Sequence, residues 1–514
     1  MRVKLWPAPS GVQTRICNHR FDAVMTFSHQ SDTIETNSIY AAELYGFKNN
    51  CRLGVFASNY SGSQVGIKDR DLSGLIRHDV YYATDRWYNP NTGVIEVIPD
   101  YNNATWSAAG AAVFSGAVVN TAKATRYPNH GQQLFNISNG QYGYDFTTGT
   151  PGLSNQEELI NLLNTQNDWL FNLVGRRPAG GSYRNGQTAS AGQLLPFWLG
   201  CRNSSPGSFN AAADANTFYG LNKQTGVVLG LPNTSVFDRI TLANYPSSDR
   251  WYDFYTSMGA TKAQATAYVQ GEIAKARATF GWYRSFFHWH NLAAAGVLTD
   301  LDEYLSMCRT AFGGDFVHTC SNGEALEYLF LRSIAKRINT VTVAGKVVVL
   351  VDVVDGFKGS NTSGIANDLP LPDINTPLTV WIDLTGTPLA GQNIKSNFGK
   401  PVSLGSDQYL IEIPFVRKEE TFMVISLESG AGDYLSLAQP TGSGNVSGTT
   451  LTVTTNVPTK AVLFEVTTGG QESASTVSNR DNIFSTNHSF TVTSGKDFRV
   501  GIINEAGQAR LITI

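Results

Sequence analysis

The chain has 514 residues, a formal charge of −3 and five cysteines, with 15% charged residues against 42% apolar ones. Neither a Lys/Arg run nor an acidic tail occurs, which excludes the basic footprint of a nucleic-acid binder. The charged share falls well below the usual ~25%, and Gly, Asn, Ser and Thr make up the difference, as on a neutral, hydroxyl- and amide-rich surface suited to glycan.

The opening residues 1–15 (MRVKLWPAPSGVQTR) lack the apolar core of a signal peptide. No window reaches ~18 uninterrupted apolar residues, so a soluble chain without membrane insertion is expected. Cys17, Cys51, Cys201, Cys308 and Cys320 are scattered with no CxxC pair, which reads as reduced, buried thiols.

In chain order, FDAVMTF predicts a strand that stops at SHQSD (residues 28–32), followed by a helix in IYAAELYG and a strand in RLGVFAS. Ser154 and Glu157 form a capping box ahead of Leu159, Leu162, Leu163, Trp169, Leu170 and Leu173. Residues 261–280 place Ala265, Tyr268, Val269, Ile273 and Ala276 on one helical face. A third helix presents Leu301, Tyr304, Leu305 and Cys308 and stops at Gly313-Gly314, and a fourth, near 323–338, buries Leu326, Leu329, Phe330 and Ile334. Strands alternating with helices imply parallel pairing. Near residue 340 the pattern turns to β-branched runs, beginning with a hairpin about Ala344-Gly345. The expected division is an α/β domain over 1–340, a β-sandwich over 341–428 and a second over 429–514.

Ligands in parallel α/β sheets sit beyond the carboxyl ends of strands, which puts Ser28, His29 and Asp32 at the productive end of theirs. His29 and Asp32 are close enough in sequence to share a metal. In FFHWHNL, His288 and His290 would point to one face if the segment is a strand. Arg184 stands in a Gly-rich loop, where its guanidinium could hold a carboxylate. Trp251, Trp282 and Trp289 offer aromatic faces to sugars, with core packing as the favoured reading for at least one of Trp282 and Trp289, which flank an apolar strand. Arg77-His78-Asp79 reads as an ordinary strand-end ion pair, with His78, Asp79 and His130 as reserve ligands, and His488 lies apart from any arguable site.

The first ~310 residues resemble the nodulation-type polysaccharide deacetylases, carbohydrate esterase family four. The family's T-F-D-D-G and YGFKATFFV meet TFSHQ and LYGFKNNCRLGVFAS here. Its N-H-T-x-x-H, LSxEEL and TGxxP meet FNISNGQ and LSNQEELINLLNTQNDWLFNLVGRRP. F-R-P-P-Y-G meets YRNGQ, and the last strand with its His meets SFFHWH. The resemblance implies a distorted (β/α) barrel, with the two β-sandwiches following it. It also implies zinc-dependent deacetylation of a polysaccharide, with His288 protonating the departing sugar oxygen and Arg184 as an orienting group. The family's base and first metal aspartate fall on Ser28 and His29, and its two ligand histidines on Ile137 and Gln141. A serine cannot act as a carboxylate base, so a rearranged site using His29, Asp32 and His288 stands beside a glycan-binding protein without turnover, in which His290 and the tryptophans hold sugar. The composition also resembles bacteriophage tail fibres and tailspikes. It implies a third reading, a homo-oligomer or virion-associated part of a larger viral assembly.

Overall fold

The computed structural model describes residues 11–16, 23–30, 37–57, 66–82, 86–89, 94–97, 135–136, 141–142, 167–183, 200–203, 240–243, 252, 259–278, 282–313, 317–353, 357–358, 368–369, 376–397, 399–413, 422–467 and 470–514. It is a mixed α/β protein with several sheets. The helix start at Ser154 lies outside the described residues, as do His130, Ile137 and Gly314. Residues 167–174 are helical, with Leu170 buried.

After a short first strand, β1 (Gln13–Ile16), come β2 (Ala23–Gln30), β3 (Leu53–Ala57), β4 (Ile76–Tyr82), β5 (Gly180–Tyr183), β6 (Gly200–Asn203), β7 (Ile240–Ala243), β8 (Trp282–Phe287) and β9 (Val317–Cys320). β2 to β9 form one parallel sheet in the order β7-β6-β5-β4-β3-β2-β8, with β9 also on β2. Alternation along the strands separates its faces. Met25, Phe27, Val55 and Phe287 join a core with helices α1 (Asn37–Lys48), α3 (Lys262–Ala278), α4 (Trp289–Ala294) and α5 (Thr299–Phe312). Val24 and Trp282 face Leu326 and Leu331 of α6 (Asn322–Ile334). A further helix, α2 (Ile67–Ser73), precedes β4.

Local signals account for these helices. α5 buries the expected Leu301, Tyr304, Leu305 and Cys308 and ends at Gly313 with a positive φ. α6 opens on a capping box of Ser321 and Glu324, a device worth about 0.5–2 kcal/mol. It ends at Ile334, and the chain passes directly into a strand. α1 is buried on nearly every side because it is covered twice: Ile39, Ala42, Leu44, Tyr45 and Phe47 all lie in the core.

The middle β unit comprises β10 (Ala335–Val343), β11 (Lys346–Val353), β12 (Leu378–Asp383), β13 (Ile394–Ser396), β14 (Val402–Gly405), β15 (Gln408–Ile413) and β16 (Phe422–Ser429). Two antiparallel sheets, β10-β11-β16-β13 and β1-β12-β15-β14, share a core of Val347, Val349 and Leu427 against Val380, Ile382 and Ile411. The expected boundary at 340 falls inside β10, and β1 pairs with β12 rather than with the parallel sheet. Ala344 and Gly345 both have positive φ (50° and 79°), which gives the β10–β11 hairpin the turn geometry that matches strand twist. A Cβ is unfavourable there, so Ala344→Gly should raise the urea midpoint by the equivalent of roughly 0.5–1 kcal/mol. A lowered midpoint would contradict that turn.

The C-terminal strands are β17 (Gly442–Ser447), β18 (Thr450–Thr467), β19 (Gln471–Thr491), β20 (Asp497–Asn504) and β21 (Ala509–Thr513), all in one antiparallel sheet. The β18–β19 register shifts between Thr454 and Thr459, and a shared core of Leu451, Val453 and Phe490 with Leu463, Val500 and Ile502 shows the sheet bent over itself there. Two layers thus arise from one sheet, where a sandwich of separate sheets was expected. His488 is buried near this bend, bonded to Asp481 (2.8 Å) and Thr459 (3.1 Å).

The other face of the C-terminal sheet covers α1. Val462, Phe464, Ile503 and Ala509 belong to the same core as Phe47. Gly501 is required because a Cβ would stand 2.3 Å from the Phe47 ring. Fully buried Glu43 receives a two-pronged bond from Arg480 (2.5 and 2.7 Å).

Candidate functional site

β2 does not stop at Phe27. Its ladder with β8 runs on through His29, opposite Phe287, so Ser28, His29 and Gln30 are strand residues and not a loop. The strand alternation therefore sends Ser28 and His29 to opposite faces. Ser28 is buried and its hydroxyl donates to the Ser285 carbonyl at 2.9 Å.

His29 is fully buried at the carboxyl end of β2. Its Nδ1 accepts the Trp289 N–H at 3.2 Å and lies 3.1 Å from the Phe287 carbonyl. The ring stacks on Trp289, with centroids 4.2 Å apart and planes 10° from parallel. β8 ends at Phe287, so His288 and His290 do not share a strand face as expected: His288 is the residue before α4, and His290 lies in its first turn. The helical turn nonetheless brings them together. The His288 and His290 rings meet edge-on at 5.4 Å, and His290 meets His29 at 5.9 Å. The imidazoles of His29, His288 and His290 thus gather at the adjacent carboxyl ends of β2 and β8, with His288 and His290 half-buried. Such a cluster can relay a proton and donate hydrogen bonds to an oxygen-rich ligand.

Trp282 and Trp289 both follow the core-packing reading. Trp289 is fully buried beneath His29, and Trp282 is 3% exposed with Nε1 donating to Thr26 Oγ1 at 3.0 Å. Neither indole has an open face for sugar stacking, because both complete hydrophobic cores. Asp32, Arg184 and Trp251 lie outside the described residues.

Among the described residues no group of three His, Cys, Asp or Glu side chains is placed to hold a metal. His29 offers only Nε2, since Nδ1 faces the 287–289 main chain, and Ser28 spends its proton on a carbonyl. Of the two residues expected to hold a metal, His29 is described and Asp32 is not, and no chemical step is routed through a metal.

The Arg77-His78-Asp79 triplet is not an internal ion pair. Arg77 bonds Glu327 (2.5 Å), while His78 and Arg176 converge on Asp71. Burial would raise the Asp71 carboxyl, but Arg176 and the His78 bonds outweigh it and hold the group well below the usual carboxylate range. His78 is pushed down by burial. Asp79 accepts the Gly323 N–H at 3.1 Å near the start of α6, and a Cβ on Gly323 would collide with its Oδ1. Burial pushes the Asp79 pKa above its ordinary 3.8, against the pull of Arg77 and Arg176. A raised folded-state value means stability that is full below 3.8 and lost as pH rises through the folded value. Asp79→Asn should therefore gain on the parent progressively from acid to neutral pH, read as urea midpoints. A gain that shrinks with rising pH would sink this account.

Cys51, Cys308 and Cys320 are buried free thiols, with Cys51 pushed up to about 12 by burial. No helix among the described residues is long and apolar enough to cross a membrane.

No family model and no curated protein matches the chain. Among solved structures, a Mycobacterium smegmatis protein provisionally assigned as a polysaccharide deacetylase aligns with 66% of this chain and 99% of its own, at 12% identity and a TM-score of 0.33. A superposition that loose identifies no chemistry, and what the site can do rests on its own residues.

Proposed function

We propose that the protein is directed at polysaccharide and handles acylated sugar at the carboxyl ends of β2 and β8. The observation that carries this reading is the meeting of His29, His288 and His290 there, from segments some 260 residues apart. His288, at the position of the family's last-motif histidine, would give a proton to the departing sugar oxygen, as a half-buried imidazole beside a second imidazole can. His290 would bind the sugar, and Asp32 and Arg184 would position the acyl group and its partner. Zinc on His29 and Asp32 would have to use Nε2 of His29, and metal analysis of the purified protein tests that assignment. The fold in this reading is a distorted deacetylase-type barrel, with the parallel strands as consecutive staves, followed by two sandwich modules.

Ser28 favours a second reading, glycan binding without turnover. At the family's base position stands a buried hydroxyl already donated to a carbonyl. Incubation of the protein with an acetylated polysaccharide separates the two. Acetate release supports hydrolysis, glycan retention without release supports the binding reading, and neither retention nor release sinks both. A viral attachment role has composition alone behind it. An assembly larger than a monomer in solution would support it, and a monomer would count against it.

A further inference from the structure

We propose that a pocket between the parallel sheet and both β units binds a single saccharide unit bearing a carboxylate. The pocket has a volume of 290 Å³, at the small end of ligand sites, which begin near ~300 Å³. Arg52 and Arg77 enter it from the starts of β3 and β4, Thr376 and Thr379 from the beginning of β12, and Lys460 and Phe484 from β18 and β19. It lies at the amino ends of β3 and β4, whereas the imidazoles gather at the carboxyl ends of β2 and β8.

Three carboxylates also line the pocket. Glu324 binds Arg52 at 2.8 Å, and Glu505 binds Lys400 at 2.5 Å. Glu412 is the third. One lining cation stands apart from these pairs. Lys460 has no carboxylate within ion-pair distance among the described residues; its Nζ donates to the Leu72 carbonyl and stands 5.0 Å over the Phe484 ring. Arg77, by contrast, is met by Glu327 at 2.5 Å and by Glu324 at 3.8 Å. An incoming carboxylate gives the Lys460 ammonium the counter-charge it lacks.

The rim supplies the other half of the chemistry. Phe484 is 40% exposed, beside Ile483 at 74% and Leu72 at 45%. An accessible aromatic ring next to a polar cavity suits the C–H face of a sugar ring, while the Thr376 hydroxyl, which donates to Glu327 at 2.7 Å, can accept from a sugar hydroxyl. A purely apolar ligand would leave the Lys460 ammonium without a counter-charge, and a bare anion would not use the Phe484 face. A hexuronate satisfies both.

The test uses the full chain, with glucuronate and glucose as probes in ligand-detected NMR. Saturable millimolar binding of glucuronate, weakened by salt and roughly tenfold or more by Lys460→Gln and by Phe484→Ala, is the expected result. His288→Ala should bind glucuronate as the parent does, which separates this site from the deacylation reading. Phe484 is exposed, so its variant should keep the parent's thermal midpoint. Equal binding of glucose overturns the carboxylate assignment. Absence of saturable glucuronate binding, or binding unchanged in both pocket variants, overturns the site.

Discussion

Glu43→Ala is expected to lower the unfolding free energy by about 3–5 kcal/mol, read as a shift of the urea midpoint. Glu43 is fully buried in α1, and Arg480 reaches it from β19 with both terminal nitrogens while its side chain is only 10% exposed. Removing the carboxylate leaves a guanidinium inside the seam between α1 and the C-terminal sheet. The loss is that of an uncompensated buried cation, not the worth of one ion pair. The double variant Glu43→Ala/Arg480→Met should therefore recover most of the stability, because an apolar side chain of similar length does not need a counter-charge. A single variant within about 1 kcal/mol of the parent would mean that the seam opens readily to water.

His288→Ala is expected to reduce acetate release by about 100-fold or more, the usual contribution of a positioned general acid. His288 is half-buried just before α4, so truncation leaves the core of Trp289 and Leu292 in place and the thermal midpoint should stay close to that of the parent. The pH profile separates chemistry from packing. Loss of a general acid removes the fall in rate at high pH, which a packing defect does not. Equal rates in parent and variant would remove His288 from the reaction.

Much of this architecture could be read locally. α5 and α6 follow their apolar spacing and end signals, and the Ala344-Gly345 hairpin sits where two β-branched runs meet. The approach of His29 to His288 and His290 was also legible, because strand ends in a parallel sheet converge. Pairing across hundreds of residues was not. The β8 ladder carries β2 past Phe27 and buries His29, and no feature of TFSHQ announces it. Arg77, His78 and Asp79 are neighbours in sequence, yet they bond Glu327, Asp71 and Gly323. Trp282 and Trp289 carry no local mark that tells a core indole from a sugar platform. The pocket joins β3, β4, β12, β18 and β19, so its chemistry exists only once all of them are assembled.

The pairing of Gln13–Ile16 with residues 380–383 bears on how the chain is made. That first strand leaves the ribosome long before its neighbour in the sheet exists. At about 5–20 residues per second, the delay is about 20–70 s. During that interval the segment has an unsatisfied edge, and the middle unit cannot close until its last strand, β16, has been made. A nascent chain arrested before residue 378 should therefore expose this segment to protease, even where the parallel sheet already resists it.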